Sequence, residues 1–427
     1  MTDEQKPHRY RMWIVGNCSY IAYIDDLAEV RWLCLPRFDS SFVFGSMLDR
    51  AKGGEFSIKP VPPLSTRQYY VENTNILCTE FEAADGQLKV TDFAPRFFQY
   101  DRYFRPLMLI RKIEPIGGHP KVTVCCLPVG SYGDIIPEIV QGSNHLRYLH
   151  LGGHVRLTTD IPLSYVRDSR PFVVNGPMYL VFSYGPPLEA PLAATVEEFL
   201  DQTRKCWIQW VKTTSIASIF QEAIVRSALV LKLHQFEDTG AIIAAGTTSL
   251  PEFPQSGRTW DYRFCWLRDT YYTLNAFNRV GHFEELERYF EYVQNLMSDQ
   301  RPVVQPVYTI TGYAVPPEQE LPLDGYQGNR PVRIGNNAAV QPQHDVYGQV
   351  LISLLPLYVD KRLRYHDRRS TLGLIRGLLD RIERVRAPGG PRLVLSVCPR
   401  RRFRTAQGHV SGHGLLACGS HGLCWQA

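Results

Sequence analysis

The chain has 427 residues, 44% of them hydrophobic and 21% charged, which is the composition of a globular protein of two or three domains. Its net charge of +5 comes from the last 42 residues, since without their six Arg the chain holds 41 basic and 42 acidic residues. A body this close to neutral has no basic stripe, so we expect no nucleic-acid partner.

The N-terminal sequence and the cysteines bear on the compartment. The first residues lack the apolar core of a secretion signal, and no run approaches the roughly 18 apolar residues that a membrane helix needs. The ten Cys are scattered without a C-x-x-C pair, a distribution typical of buried thiols in a reducing compartment. These features predict a cytoplasmic protein without membrane contact.

Residues 1–195 have the pattern of a β domain. Runs such as 30–35 and 77–81 are short, rich in β-branched or aromatic residues, and separated by turn signals. The dipeptide Asp85-Gly86 between two such runs predicts a tight hairpin, because these residues accept the positive φ angles of the turn. Many short strands at this spacing predict an antiparallel β-sandwich.

The periodicity becomes helical after a Pro-rich break at 186–191. Residues 196–212 predict a linking helix, and residues 213–385 predict a helical domain with long connecting loops at 238–265 and 299–335. Loops of this length usually carry function. The predicted helices of the second domain are 216–236, 270–280, 283–296, 346–359 and 371–385.

The segment 260–269 is the richest in chemistry, with four aromatic residues, two Arg and two Asp at a loop-to-helix junction. Aromatic faces pack on the apolar faces of a pyranose ring, and an Arg–Asp pair offers a donor and an acceptor to neighbouring sugar hydroxyls. The alternative is an ordinary helix start, with an ion pair and aromatic core anchors.

A second polar segment, 324–348, contains Arg333 and Asn336 among Gly, Asn and Gln residues before a predicted helix. Such a lining suits a neutral polyol better than a phosphate, because it contains no Gly-rich phosphate loop and no metal-ligand spacing. We therefore expect neither a cofactor nor a metal. A polar surface loop is the alternative. A third segment, 237–252, is unremarkable when taken alone.

Together these three segments resemble the family 15 glycoside hydrolases, the group of glucoamylases, glucodextranases and bacterial-type trehalases. The resemblance rests on residues 239–252, 260–269 and 330–348 in this order, and residues 32–40 are similar to the family's β domain. It spans roughly residues 10–385.

The resemblance implies a mixed β and α fold, with an N-terminal antiparallel β-sandwich followed by an (α/α)6 barrel. It also implies inverting hydrolysis of an α-glucosidic bond in an α-glucan or a glucose disaccharide. Arg268 and Asp269 would hold the terminal glucose, and Trp266 and Tyr262 would shape its subsite. The predicted substrate-binding residues are Tyr262, Trp266, Arg268 and Asp269, together with Trp260, Arg333 and Asn336.

The sequence departs from the family pattern after Val385, where the family has a Pro-Asp-x-Gly-x-Trp-Glu motif with the general acid. Residues 386–427 contain no Asp and no Glu, and we expect this Arg/Gly-rich tail to be out of frame. The expectation is an incomplete barrel, about its first half, without the general acid and base. The alternatives are a non-catalytic sugar-binding or regulatory protein and a structural β domain with a degenerate helical appendage.

Overall fold

A computed structural model of the chain describes residues 10–61, 63–298, 304–363 and 368–386. The predicted tail at 386–427 lies outside this range except for Arg386. The fold is mixed β and α, with a large antiparallel β part first and helices later, as predicted.

The first part of the chain is built from short strands. Three of its antiparallel sheets have the orders β13-β14-β15-β17-β11-β8-β7-β6, β1-β2-β3-β4 and β16-β12-β5, and β9 pairs with β10. These strands, with one short helix, are β1 (Met12–Gly16), β2 (Ile21–Asp25), β3 (Val30–Cys34), β4 (Phe42–Phe44), β5 (Glu55–Pro60), β6 (Pro63–Tyr70), β7 (Leu77–Ala83), β8 (Gly86–Phe93), β9 (Phe97–Gln99), β10 (Arg102–Phe104), β11 (Met108–Gly118), β12 (Lys121–Leu127), β13 (Ile139–Gln141), β14 (His145–Tyr148), β15 (Val155–Thr159), α1 (Leu163–Arg167), β16 (Phe172–Val173) and β17 (Met178–Tyr184).

One apolar core joins the three larger sheets. The rings of Phe44, Phe56 and Phe182, one from each sheet, lie 5.0 to 5.9 Å apart. The predicted hairpin at Asp85-Gly86 is confirmed, since Ala83 pairs with Gly86 between β7 and β8. Successive residues of a strand point to opposite faces, so Leu180 and Phe182 of β17 lie in this core while Tyr179 and Val181 lie in a separate apolar cluster.

The second part is mainly helical. Each predicted helix is present, and α3 begins at Gln221 because Phe220 before it has a left-handed φ of 57°. The helix α4 begins three residues before the predicted start, which places Arg268 and Asp269 in its first turn. The helices are α2 (Leu192–Lys212), α3 (Gln221–Leu233), α4 (Leu267–Val280), α5 (Phe283–Ser298), α6 (Asp345–Val359) and α7 (Arg368–Arg386).

The two predicted loops contain short strands that the sequence pattern did not indicate. Runs of two to four residues are too short for a period of two to be recognised, and β20 pairs with a strand about forty residues away. These strands are β18 (Thr248–Pro251), β19 (Thr259–Asp261), β20 (Cys265–Trp266), β21 (Val307–Tyr308), β22 (Gln319–Leu321) and β23 (Val332–Ile334).

The helices pack around a second apolar core. The helix α4 packs on α6, α5 packs on α7, and Leu274, Phe277 and Val350 are buried between them. In the part of the chain that the structure describes, no helix combines the length and the apolar character needed to cross a membrane.

A buried network of charges joins the β part to the helices. Glu237, just after α3, lies 2.6 Å from Arg96, 3.2 Å from Arg105 and 2.6 Å from Lys232. Lys232 also lies 3.0 Å from Glu285 on α5. Burial alone would raise the pKa of Glu237, but the three cations together hold it well below its usual range. The charges are paired, as buried charges must be.

Candidate functional site

The predicted site segment ends a short strand and begins a helix. Trp266 is the last residue of β20 and the residue before α4, and its side chain is buried with Phe264, Val307 and Ala339. This buried anchor sets the direction of the first turn of α4. A carboxylate in that turn, here Asp269, is favoured by the partial positive charge of the helix N-terminus.

Arg268 lies between the first turns of α4 and α6. Its Nη1 donates to Oε1 of Gln343 at 2.9 Å and is 3.5 Å from Oδ2 of Asp345, the first residue of α6. Its Nε lies 3.9 Å from Oδ2 of Asp269. The side chains of Arg268 and Asp269 keep 21% and 25% exposure, so a solute can reach both groups. The site thus presents a guanidinium and carboxylates at the adjacent starts of two packed helices.

Tyr262 and Trp266 form an aromatic pair next to these charges, with ring centroids 5.4 Å apart. The pKa of Tyr262 is raised to about 12, mainly because the phenol is buried and further because of the carboxylates of Glu252 and Asp269. The phenol therefore keeps its proton at neutral pH and can both donate and accept a hydrogen bond.

Arg333 and Trp260 form a second group. The Arg333 guanidinium lies over the Trp260 ring at 4.6 Å, and its Nη1 donates to the carbonyl oxygens of Gly257 and Thr259 at 3.1 and 2.9 Å. Its Nε lies 3.2 Å from Glu318. Arg333 therefore holds the backbone between β18 and β19 through the same nitrogens that a substrate would need.

Asn336 supports the site from behind Trp266. Its Nδ2 donates to the carbonyl oxygen of Asp261 at 3.1 Å, and its Oδ1 accepts from the N–H of Ala338 at 2.9 Å. This cap begins the 3-10 helix Asn337–Val340, whose Ala339 packs with Trp266 in one apolar cluster. The structure thus gathers Tyr262, Trp266 and Asp269 around Arg268. It engages Trp260, Arg333 and Asn336 with neighbouring protein groups.

Gln343 and Asp345 are site residues that the prediction passed over. Both stand in the polar segment before α6, so their residue types were a usable signal. Their contact with Arg268 spans 75 and 77 positions of the chain and depends on α4 packing against α6. The helical periodicity of the sequence cannot indicate a contact between residues of two different helices. Among the described residues, no group of three or more His, Cys, Asp or Glu could hold a metal ion.

Comparison with known proteins identifies the two parts of the chain. The family model described as glycosyl hydrolases family 15 matches residues 218–385, and the one described as trehalase-like, N-terminal, matches residues 1–154. Residues 218–385 therefore match glycosyl hydrolase family 15, the family that the sequence pattern resembles. The matched family 15 region contains α3 to α7 and every predicted site residue.

Curated relatives match most of this chain. A protein named trehalase from Thermoplasma volcanium is 32% identical over 351 residues, covering 79% of this chain and 55% of the relative. A protein named trehalase from Mycolicibacterium smegmatis is 30% identical, covering 80% and 55%. Trehalase 1 of Sulfolobus acidocaldarius is 30% identical, covering 81% and 59%. The chain spans a little over half the length of these relatives.

A buried ion pair connects the family 15 region to the trehalase-like N-terminal region. Nη2 of Arg263 lies 2.7 Å from Oδ2 of Asp261, and both side chains are essentially unexposed. Arg263 also donates to the carbonyl oxygen of Ser40 at 2.6 Å and to the hydroxyl of Tyr132 at 3.1 Å. Asp261 accepts from the N–H of Gly335 at 3.2 Å. This pair fixes the segment before α4 against the β part, and so positions the site.

Proposed function

We propose that the chain binds a glucose disaccharide, trehalose in the first instance, as the substrate-binding part of an inverting glycoside hydrolase of the trehalase type. The observation that carries the proposal is the Arg268–Asp269 pair in the first turn of α4, beside the aromatic pair Tyr262–Trp266. The relatives named trehalase support the choice of disaccharide over a longer α-glucan.

The roles follow from the chemistry of each group. Arg268 donates to two neighbouring hydroxyls of the terminal glucose, and Asp269 accepts from a third. Tyr262 and Trp266 contact the apolar C–H face of the ring. Gln343 and Asp345 hold the guanidinium of Arg268, because an Arg bound on one edge keeps its other edge oriented. The carboxylates near this pair carry the recognition rather than the proton transfer.

We also propose that α3 to α7 form part of an (α/α)6 barrel. In such a barrel, helices alternate between an inner and an outer ring, so each contacts the helix two places further on. The contacts of α4 with α6 and of α5 with α7 have this spacing and support the arrangement. Exposed apolar side chains on α6 and α7, including Leu355 and Leu379, are suited to contacts with neighbouring helices.

Sugar binding without turnover is a second candidate function, favoured by one observation. The described carboxylates beside the aromatic pair, Asp269, Asp345 and Glu252, each lie within 4.0 Å of an Arg nitrogen. Each Arg holds its carboxylate as a hydrogen-bond or ion-pair acceptor, and a carboxylate held in this way is placed to accept from sugar hydroxyls. These three groups are therefore suited to binding a sugar.

Calorimetric titration of the purified chain with trehalose, maltose and isomaltose tests the binding, and glucose release is measured on the same samples. We expect trehalose to bind, and Asp269→Ala to weaken it by tenfold or more. Asp201→Ala, an exposed carboxylate on α2, is the matched control and should bind as the unaltered chain does. Absence of sugar binding would refute the proposal, and binding without glucose release would select the second candidate.

A further inference from the structure

The loop between β18 and β19 carries a second Arg–carboxylate pair near the site. Nε of Arg258 lies 2.5 Å from Oε2 of Glu252, and their backbones are also joined by a hydrogen bond of 3.2 Å from Glu252 N to Arg258 O. The Glu252 side chain is 12% exposed and that of Arg258 is 49% exposed. The carboxylate is therefore largely enclosed, while the guanidinium reaches solvent.

One oxygen of this carboxylate has its hydrogen-bonding capacity unused. Oε1 of Glu252 is buried, and no described residue donates a hydrogen bond to it. A buried acceptor without a donor costs free energy. Oε1 of Glu252 can therefore accept a hydrogen bond from a ligand bound next to the Tyr262–Trp266 aromatic pair. A sugar hydroxyl is a donor of this kind.

The loop that carries the pair is held in place. The side chain of Asn329 accepts from the N–H of Gln255, and Arg333 donates to the carbonyl oxygen of Gly257 at 3.1 Å. Phe253, next to Glu252, is 59% exposed. A fixed loop that offers an Arg, a carboxylate and an exposed aromatic ring has the groups that a sugar ring requires.

Tyr262 relates this pair to the proposed glucose site. The pairing of Thr248 with Asp261 and of Pro251 with Thr259 brings the hairpin that carries Glu252 and Arg258 directly to Tyr262, the residue after β19. The pKa of this phenol is raised by burial and further by the carboxylates of Glu252 and Asp269. Two Arg–carboxylate pairs therefore lie near the Tyr262–Trp266 aromatic pair, one at the start of α4 and one on the hairpin loop. A disaccharide has two rings, and each ring needs its own donors and acceptors.

We propose that Glu252 and Arg258 bind the hydroxyls of the second sugar ring, the one beyond the glucose held by Arg268 and Asp269. This inference rests on the proposed function and adds the residues that select a disaccharide over a single glucose. Each pair combines one cation with a carboxylate, so the surface suits a neutral sugar rather than a phosphorylated one.

The test compares glucose and trehalose binding by calorimetry for the unaltered chain and two variants, Glu252→Gln and Arg258→Gln. We expect each variant to weaken trehalose binding by about tenfold and to leave glucose binding within about twofold. Lys121→Gln, which removes a comparable exposed ion pair with Asp85 in the β part, is the matched control. Arg258 is half exposed, so its variant keeps the fold even where Glu252→Gln does not, and thermal melts of both verify this.

The outcomes separate this inference from the proposed function. If the unaltered chain binds both sugars and the two folded variants bind trehalose as tightly as before, the second-ring role is overturned while the glucose site stands. An equal weakening of both sugars also overturns it, because the pair would then act on the glucose site. If the unaltered chain binds neither sugar, both proposals are overturned.

Discussion

Arg96 of the β part and Glu237 behind α3 form an ion pair with 2.6 Å between Nη2 and Oε1, and each side chain is only 1% exposed. The same guanidinium lies over the rings of Tyr103 and Trp207 at 4.3 and 4.9 Å. Since Trp207 belongs to α2, this one Arg contacts the β part, the connecting helix and the segment after α3. This one buried Arg therefore contributes contacts to both parts of the chain and to the helix between them.

Glu237→Gln should lower the free energy of unfolding by about 3–5 kcal/mol, because it leaves Arg96, Arg105 and Lys232 buried near an uncharged partner. Urea unfolding measures the change. Asp201→Asn, in the exposed pair with Lys205 on α2, should cost about 0–1 kcal/mol. Equal effects of the two substitutions would show that the buried network does not couple the two parts.

Acid should destabilise the fold in two steps. Burial lowers the pKa of His282, which stacks on Trp210 at 3.7 Å and lies 4.0 Å from Glu285. As the pH falls below about 6.5, His282 takes up a proton in the unfolded chain but stays neutral in the folded chain. The stability of the fold therefore decreases as the pH is lowered. The depressed pKa of Glu237 acts in the same direction below about pH 4.3, where the unfolded carboxylate becomes protonated.

Thermal melts between pH 7.5 and 5 measure the first step. His282→Gln should make the melting temperature less dependent on pH in this range. Part of the pH dependence should remain, because burial also lowers the pKa of His234. A melting temperature that rises on acidification through this range would contradict the assignment.

Gly240→Ala should destabilise the chain by about 1–3 kcal/mol or more, for two reasons. The φ angle at Gly240 is +85°, and an added Cβ would lie 2.0 Å from the carbonyl oxygen of Arg288. Gly348→Ala is the contrasting variant, because an added Cβ inside α6 would meet no atom of the described residues within 4 Å. That substitution should stabilise by about 0.5–1 kcal/mol in the same unfolding measurement. A change in the free energy of unfolding with the same sign for both substitutions would contradict this explanation.

Arg268→Lys should weaken trehalose binding about tenfold, although it keeps the charge. The guanidinium reaches Gln343, Asp345 and Asp269 at once, whereas a single ammonium cannot hold this planar arrangement. Calorimetry of Arg268→Lys beside Arg279→Lys, at the exposed end of the same helix, measures the effect. Similar affinities for these two variants would show that a point charge is enough at position 268.

The elements with a long, clear period were predictable. The strand pair around Asp85-Gly86 and the helices near 270–280, 283–296 and 346–359 follow from local periodicity and turn chemistry, which need no knowledge of distant contacts. The boundaries were less predictable. The start of α3 depends on the left-handed φ of Phe220, for which a Phe gives no signal.

The sequence by itself determined the order of β part and helices, the family, and the residue types from which a sugar site is made. Only the tertiary structure decided which of these residues meet. Arg268 and Asp345 are 77 positions apart and come together because α4 packs on α6. The sequence predicts Arg333 as a substrate-binding residue, yet in the structure its guanidinium nitrogens bind the loop that carries Glu252 and Arg258. The residue type of a side chain limits the groups that it can bind. Which of these groups it actually contacts depends on how elements that are distant in the chain pack together.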